Sequence, residues 1–122
     1  MRPLNNLENK WINKLLSVDF KGKNIIQKQL ENSSVILNEE YSYISLMFCP
    51  NSKTDIFPFN IRVPVEMRVF QGDSAPIVFL LHIINGYINE LEILTADSSK
   101  IEIDSICLDK ADYEINRELI LE

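Results

Sequence analysis

The residues best equipped for chemistry are the lone histidine, His82, and two carboxylates set two apart, Glu90 and Glu92. On a strand such a pair shares one face at a separation of about 7 Å, compatible with acid–base work or with a divalent cation. No third acidic or histidine ligand stands beside them, so they read instead as a charged, solvated or partner-binding surface. No G-x-S-x-G nucleophile stands near His82, and a triad does not follow from the spacing. A single histidine midway along an apolar strand is expected to be packed and hydrogen-bonded to its cross-strand neighbour, here Asn89. A small enzyme built on this chain would have to use His82 with Glu90 or Glu92 as its acid–base groups.

The rest of the inventory removes other chemistries. There is no P-loop or G-x-G-x-x-G, and three glycines leave little material for a phosphate cradle. Cys49 and Cys107 form neither a CxxC pair nor a zinc spacing and are read as reduced, partly buried thiols. No cofactor or metal is therefore expected. A net charge of −6 argues against direct nucleic-acid binding and suits a basic partner. The longest apolar run, Ile77 to Ile84, is interrupted by His82 and is too short for a membrane span, and the N-terminus has no signal-peptide core, so a cytoplasmic protein is expected.

The elements that must position these groups follow from periodicity. At 122 residues and 46% hydrophobic, the chain can build one core and is read as a single domain over 1–122. Leu4, Leu7, Trp11, Ile12, Leu15 and Leu16 fall at helical spacing behind Asn5 or Asn6 as cap, with Glu8, Lys10, Asn13 and Lys14 on the polar side. A second helix is predicted over Lys23 to Glu31, after Gly22. From Ser34 the period becomes two. Val35 to Leu37 and Tyr41 to Phe48 are predicted to pair around Asn38-Glu39-Glu40, and Cys49 to Asp55 to form a long loop. Ile61 to Val69 alternates as a strand, placed at an edge or bulge by Pro64. A turn is expected at Gln71-Gly72-Asp73-Ser74.

Asn85-Gly86 predicts a two-residue type I′ hairpin between Pro76–Ile84 and Tyr87–Thr95. A regular register sets Ile84 against Tyr87, His82 against Asn89 and Leu80 against Leu91 on one face. The other face then carries Ile77, Phe79, Leu81 and Ile83 together with Glu90, Glu92 and Leu94. The Pro76 strand, apolar on both sides, should be central. Ala96 to Ser99 is a turn, Ile101 to Leu108 a last short strand, and the tail beyond Glu114 weakly helical. The fold class predicted is α+β: N-terminal helices on a mainly antiparallel sheet of five to six strands.

Leu80-Leu81-His82, Asn85-Gly86-Tyr87, Glu90-Leu91-Glu92-Ile93 and Ala96-Asp97 together resemble the signature of a small bacterial family of unknown function. Its members share an apolar strand ending in His, an Asn/Asp-Gly turn and a Glu-Leu-Glu-Ile strand closed by an Ala-Asp-Gly type turn. Ser98 here stands where Gly is usual. That family carries no established catalytic residues to transfer. In size, acidity and Asn/Ile/Lys-rich composition the chain is also similar to immunity proteins of contact-dependent growth inhibition and related polymorphic toxin systems. This resemblance implies stoichiometric binding and inhibition of a cognate toxin domain, basic and often a nuclease. The surface expected to meet it comprises Glu39, Glu40, Glu66, Glu90, Glu92, Asp109 and Asp112, with Asp104, Glu114 and Glu118 extending the same charge. The alternative is a structural or regulatory domain that self-associates as a homodimer through an exposed sheet edge.

Overall fold

The computed structural model describes residues 1–70 and 75–121, and the turn expected at Gln71 to Ser74 lies outside them. Helix α1 (Asn6–Leu15) begins where Asn5 accepts the Glu8 backbone N–H while the Glu8 carboxylate accepts that of Asn5, a reciprocal capping box. Glu8, expected on the polar side, is instead 2% exposed, because its two oxygens receive the Arg2 guanidinium at 2.7 and 2.6 Å. Helix α2 (Lys23–Glu31) starts after Gly22, whose φ of +84° suits glycine; an added Cβ would lie 2.5 Å from the Phe57 ring.

Six strands follow: β1 (Ser33–Glu39), β2 (Tyr43–Pro50), β3 (Val65–Phe70), β4 (Ile77–Ile84), β5 (Tyr87–Thr95) and β6 (Cys107–Ile115). They form one sheet in the order β1-β2-β5-β4-β3-β6, with every neighbouring pair antiparallel. The α+β architecture expected from the sequence is thus present, and β4 is central as its apolar faces require. Between β2 and β3 the chain runs from Asn51 to Pro64 without helix or strand, longer than the loop expected at 49–55.

One face of the sheet packs on the helices. Trp11, Ile12 and Leu15 of α1 and Ile26 and Leu30 of α2 join Val35, Ile44, Leu46, Val65, Met67, Phe79, Leu81, Leu91 and Ile93 in one buried cluster. The Trp11 and Phe79 rings meet edge to face at 6.0 Å. Gln29, buried in this layer, donates to the carbonyls of Asp55 and Gly86 and accepts the Ile88 N–H at 2.8 Å, fastening α2 and the long loop to the start of β5.

Three expectations are corrected here. The hairpin turn forms at Asn85 (φ 54°) and Gly86 (φ 84°), but the register shifts between His82 and Ile83, so His82 opposes Glu90 and Leu80 opposes Glu92. Asn89 is the extra residue, and beyond it Leu91 and Ile93 turn to the core while Glu90, Glu92 and Leu94 turn away. Pro64 stands just before β3, where its missing N–H costs nothing, and β3 is interior to the sheet. The last strand is β6 at 107–115, with a 3₁₀ turn at Ile103–Ser105 before it and one at Arg117–Leu119 after it, in place of a short strand near 101–108 and a helical tail.

Candidate functional site

The face of the sheet opposite the helices is read directly from the register. One row across it runs Tyr43, Leu94, Val78, Arg68, Asp112, and the next Asn38, Ser45, Glu92, Leu80, Glu66, Glu114. A third holds Ile36, Met47, Glu90 and His82. Apolar and acidic side chains are therefore interleaved rather than separated. Ile36, Met47 and Phe70 on this side are 49%, 37% and 44% exposed, whereas Ser45 beneath the carboxylates is 4% exposed.

The polar groups in the middle are tied to one another. A single oxygen of Glu90 accepts the Tyr43 hydroxyl at 2.8 Å and the Ser45 hydroxyl at 2.5 Å. Burial, reinforced by the Glu90 hydrogen bond, pushes the Tyr43 phenol well above its ordinary range, so it acts as a neutral donor. His82 does not bond Asn89 as expected, because the bulge moves that residue out of register. Its Nδ1 accepts from Nε of Arg62 at 3.1 Å and its Nε2 meets Glu92 Oε1 at 3.0 Å. Since an arginine N–H can only donate, Nδ1 must be the acceptor and the ring proton sits on Nε2, donated to Glu92. Arg68 bonds Glu66 at 2.7 Å and approaches Glu114 at 3.5 Å, screening two carboxylates that oppose one another across β3 and β6.

This arrangement positions carboxylates; it does not assemble a nucleophile with a base. The Ser45 hydroxyl is given to Glu90, and both nitrogens of His82 are engaged by Arg62 and Glu92. A cleft of about 410 Å³ opens beside the hairpin tip, lined by Phe57, Phe59, Arg62, Ile84 and Asn85 among others, but Arg62 is the titratable group in its wall and the carboxylates lie outside it. Among the described residues no group of three or more His, Cys, Asp or Glu side chains is placed to hold a metal ion.

The seven acidic residues expected to meet a partner do not form one patch. Glu66, Glu90, Glu92 and Asp112 share the open face, while Glu39 and Glu40 lie at the β1–β2 end and Asp109 in the outer strand β6. Five strand spacings, about 24 Å, separate β1 from β6. Sequence reasoning missed Tyr43, Ser45, Arg62 and Arg68, although Tyr43 and Ser45 alternate on β2 and Glu66 and Arg68 on β3, the pattern of residues that share a face. Cys49 is half-buried on β2, and Cys107 is exposed, where a partly buried thiol was expected; both are free.

Comparison with protein-family models, with curated proteins and with solved structures found no match to this chain. No helix among the described residues is long and apolar enough to cross a membrane.

Proposed function

We propose that this protein is an inhibitory binding module that captures a basic protein partner one to one, in the manner of an immunity protein that neutralises a cognate bacterial toxin domain. The observation that carries the reading is the sheet face opposite the helices, where Ile36, Met47, Leu80 and Leu94 lie among carboxylates already fixed in place by Tyr43, Ser45, His82 and Arg68. Apolar anchors supply contact area, and held charges add register and a fast approach for a cationic surface without first having to be ordered.

Mixing the tagged protein with purified basic bacterial toxin domains, followed by calorimetry, tests the reading. Nanomolar one-to-one binding that abolishes toxicity, and that drops at least tenfold in the Ile36→Lys, Met47→Lys double variant, is the expected result. Full affinity in that variant, with an unchanged circular dichroism spectrum, would remove this face from the interface. A chain that ignores these toxin domains and elutes as a dimer would replace the reading by self-association.

A further inference from the structure

The sheet ends differently on its two sides. Outside β1, Arg2 exchanges both backbone hydrogen bonds with Val35, at 3.2 and 2.7 Å, and its guanidinium is clamped by Glu8, so the N-terminal segment covers that edge at Val35. Outside β6 nothing comparable occurs: among the described residues, its backbone bonds are those to β3. A strand with one unpaired side is a template for another strand.

Resting on the reading of the chain as a binding module for a basic protein, we propose that the outer edge of β6 receives an extended basic segment of the partner as a seventh strand. The strand is nine residues long, in regular register with β3 from Asp112 to Ile115 and irregular towards Cys107, and its regular part is fixed before any partner arrives. Tyr113 donates its hydroxyl to the Lys14 carbonyl at 2.9 Å and lies 3.0 Å from the Ser17 hydroxyl, tying β6 to the end of α1. Just past the strand, the Asn116 N–H bonds the Pro64 carbonyl at 3.0 Å. Such an edge gives up little freedom on binding.

The charge on the strand selects the occupant. Asp109, Asp112 and Glu114 are exposed along it against the single Lys110, and the one nearby cation on β3, Arg68, already serves Glu66 as well as Glu114. An added strand sets its side chains beside these carboxylates, so lysine or arginine at alternate positions would be favourable. A second copy of this chain would instead bring two net-acidic strands together. Main-chain bonds would thus supply attachment, and the carboxylates the preference for a cationic sequence.

The test uses the full isotope-labelled chain and a synthetic nine-residue peptide alternating lysine and valine. Saturable shifts and slowed amide exchange within 107–115 are expected, with affinity at least tenfold lower for the Asp109→Lys, Asp112→Lys double variant, whose fold is checked by its unperturbed core resonances. The same loss is expected for a peptide N-methylated at alternate amides, which keeps its charge but cannot pair. Shifts confined to Met47, Leu80 and Leu94 would overturn the edge and leave the open-face reading standing. Slowed exchange of β6 without peptide, together with a dimer mass in light scattering, would overturn it in favour of a second copy. Absence of any peptide-induced change would also overturn it, leaving the wider reading to be judged by the toxin-domain experiment.

Discussion

Phe79 and Leu80 are neighbours on β4, yet they belong to different molecules in an energetic sense. Phe79 is fully buried against Trp11 and Ile93, whereas Leu80 stands between Glu92 and Glu66 on the half-wet opposite face. A side chain on the first face is held by dispersion and the exclusion of water. On the second, apolar contacts are incomplete and the fixed points are hydrogen bonds. The difference teaches that the covered face provides stability, while the open face leaves apolar side chains such as Ile36 and Met47 exposed.

The contrast is broken most directly by truncating both neighbours. Phe79→Ala should cost about 4 kcal/mol, transfer and cavity together, and Leu80→Ala about 1 kcal/mol or less, since its surroundings are already partly solvated. Urea denaturation of the two variants measures this. Equal losses would mean that the open face is a second core.

Gln29 sharpens the comparison from the covered side. Its amide serves three backbone groups, and Gln29→Ala would strand the buried Ile88 N–H and release the Asp55 carbonyl. A loss of about 2 to 3 kcal/mol is expected, with faster amide exchange at Ile88 and Phe57 as its local signature. A uniform loss without that signature would indicate that the glutamine merely fills space.

Two pH dependences distinguish the pair at the start of α1 from the pair in the middle of the open face. Burial alone would raise the Glu8 carboxyl, but the Arg2 hydrogen bonds, the Asn5 N–H and the Arg2 charge outweigh it and hold the group below its ordinary value of 4.5. The unfolded chain therefore takes up that proton first as acid is added. The stabilisation is fully present above pH 4.5 and fades as pH falls through the lower folded value. Glu8→Gln should flatten this acid limb. Tyr43 behaves oppositely: with its folded pKa raised above 10, its contribution is intact below pH 10 and is lost as pH rises further, because the unfolded phenol ionises first. Tyr43→Phe should remove that alkaline loss, measured as the stability difference from the parent chain between neutral and alkaline pH; an unaltered alkaline limb would show that other groups govern it.

Much of this fold is legible in the residues. Asn5, one of the two caps expected, opens α1, Lys23 to Glu31 is the second helix at the bounds its spacing implies, and Asn85-Gly86 takes the two positive φ values that such a turn demands. What misled was strict alternation. Ile88 and Leu91 both face the core although three residues apart, and that spacing is the signal for the bulge at Asn89; once it is missed, Glu90 and Glu92 land on the wrong face. Leu108 and Ala111 repeat the interruption in β6, where Asp109, Lys110 and Asp112 disguise a strand as a solvated tail. The open-face network was harder to foresee, since Arg62 reaches His82 from the long loop and no local pattern announces a contact twenty residues away.

The smallest effect concerns the turn after β5. Ser98 adopts φ 64°, a left-handed conformation that costs a side chain more than it costs glycine. The turn is otherwise well held: Asp97 accepts the Ser99 N–H at 3.1 Å, and Thr95 donates its hydroxyl to the Ser99 carbonyl at 2.7 Å. Because these bonds do not involve the Ser98 side chain, Ser98→Gly should relieve the strain without removing a contact. Glycine's greater freedom in the unfolded chain offsets part of the gain, leaving about 0.5 kcal/mol of added stability. A rise in the denaturation midpoint at constant slope is the expected measurement. A fall would mean that the serine is better matched to this conformation than its backbone angle implies.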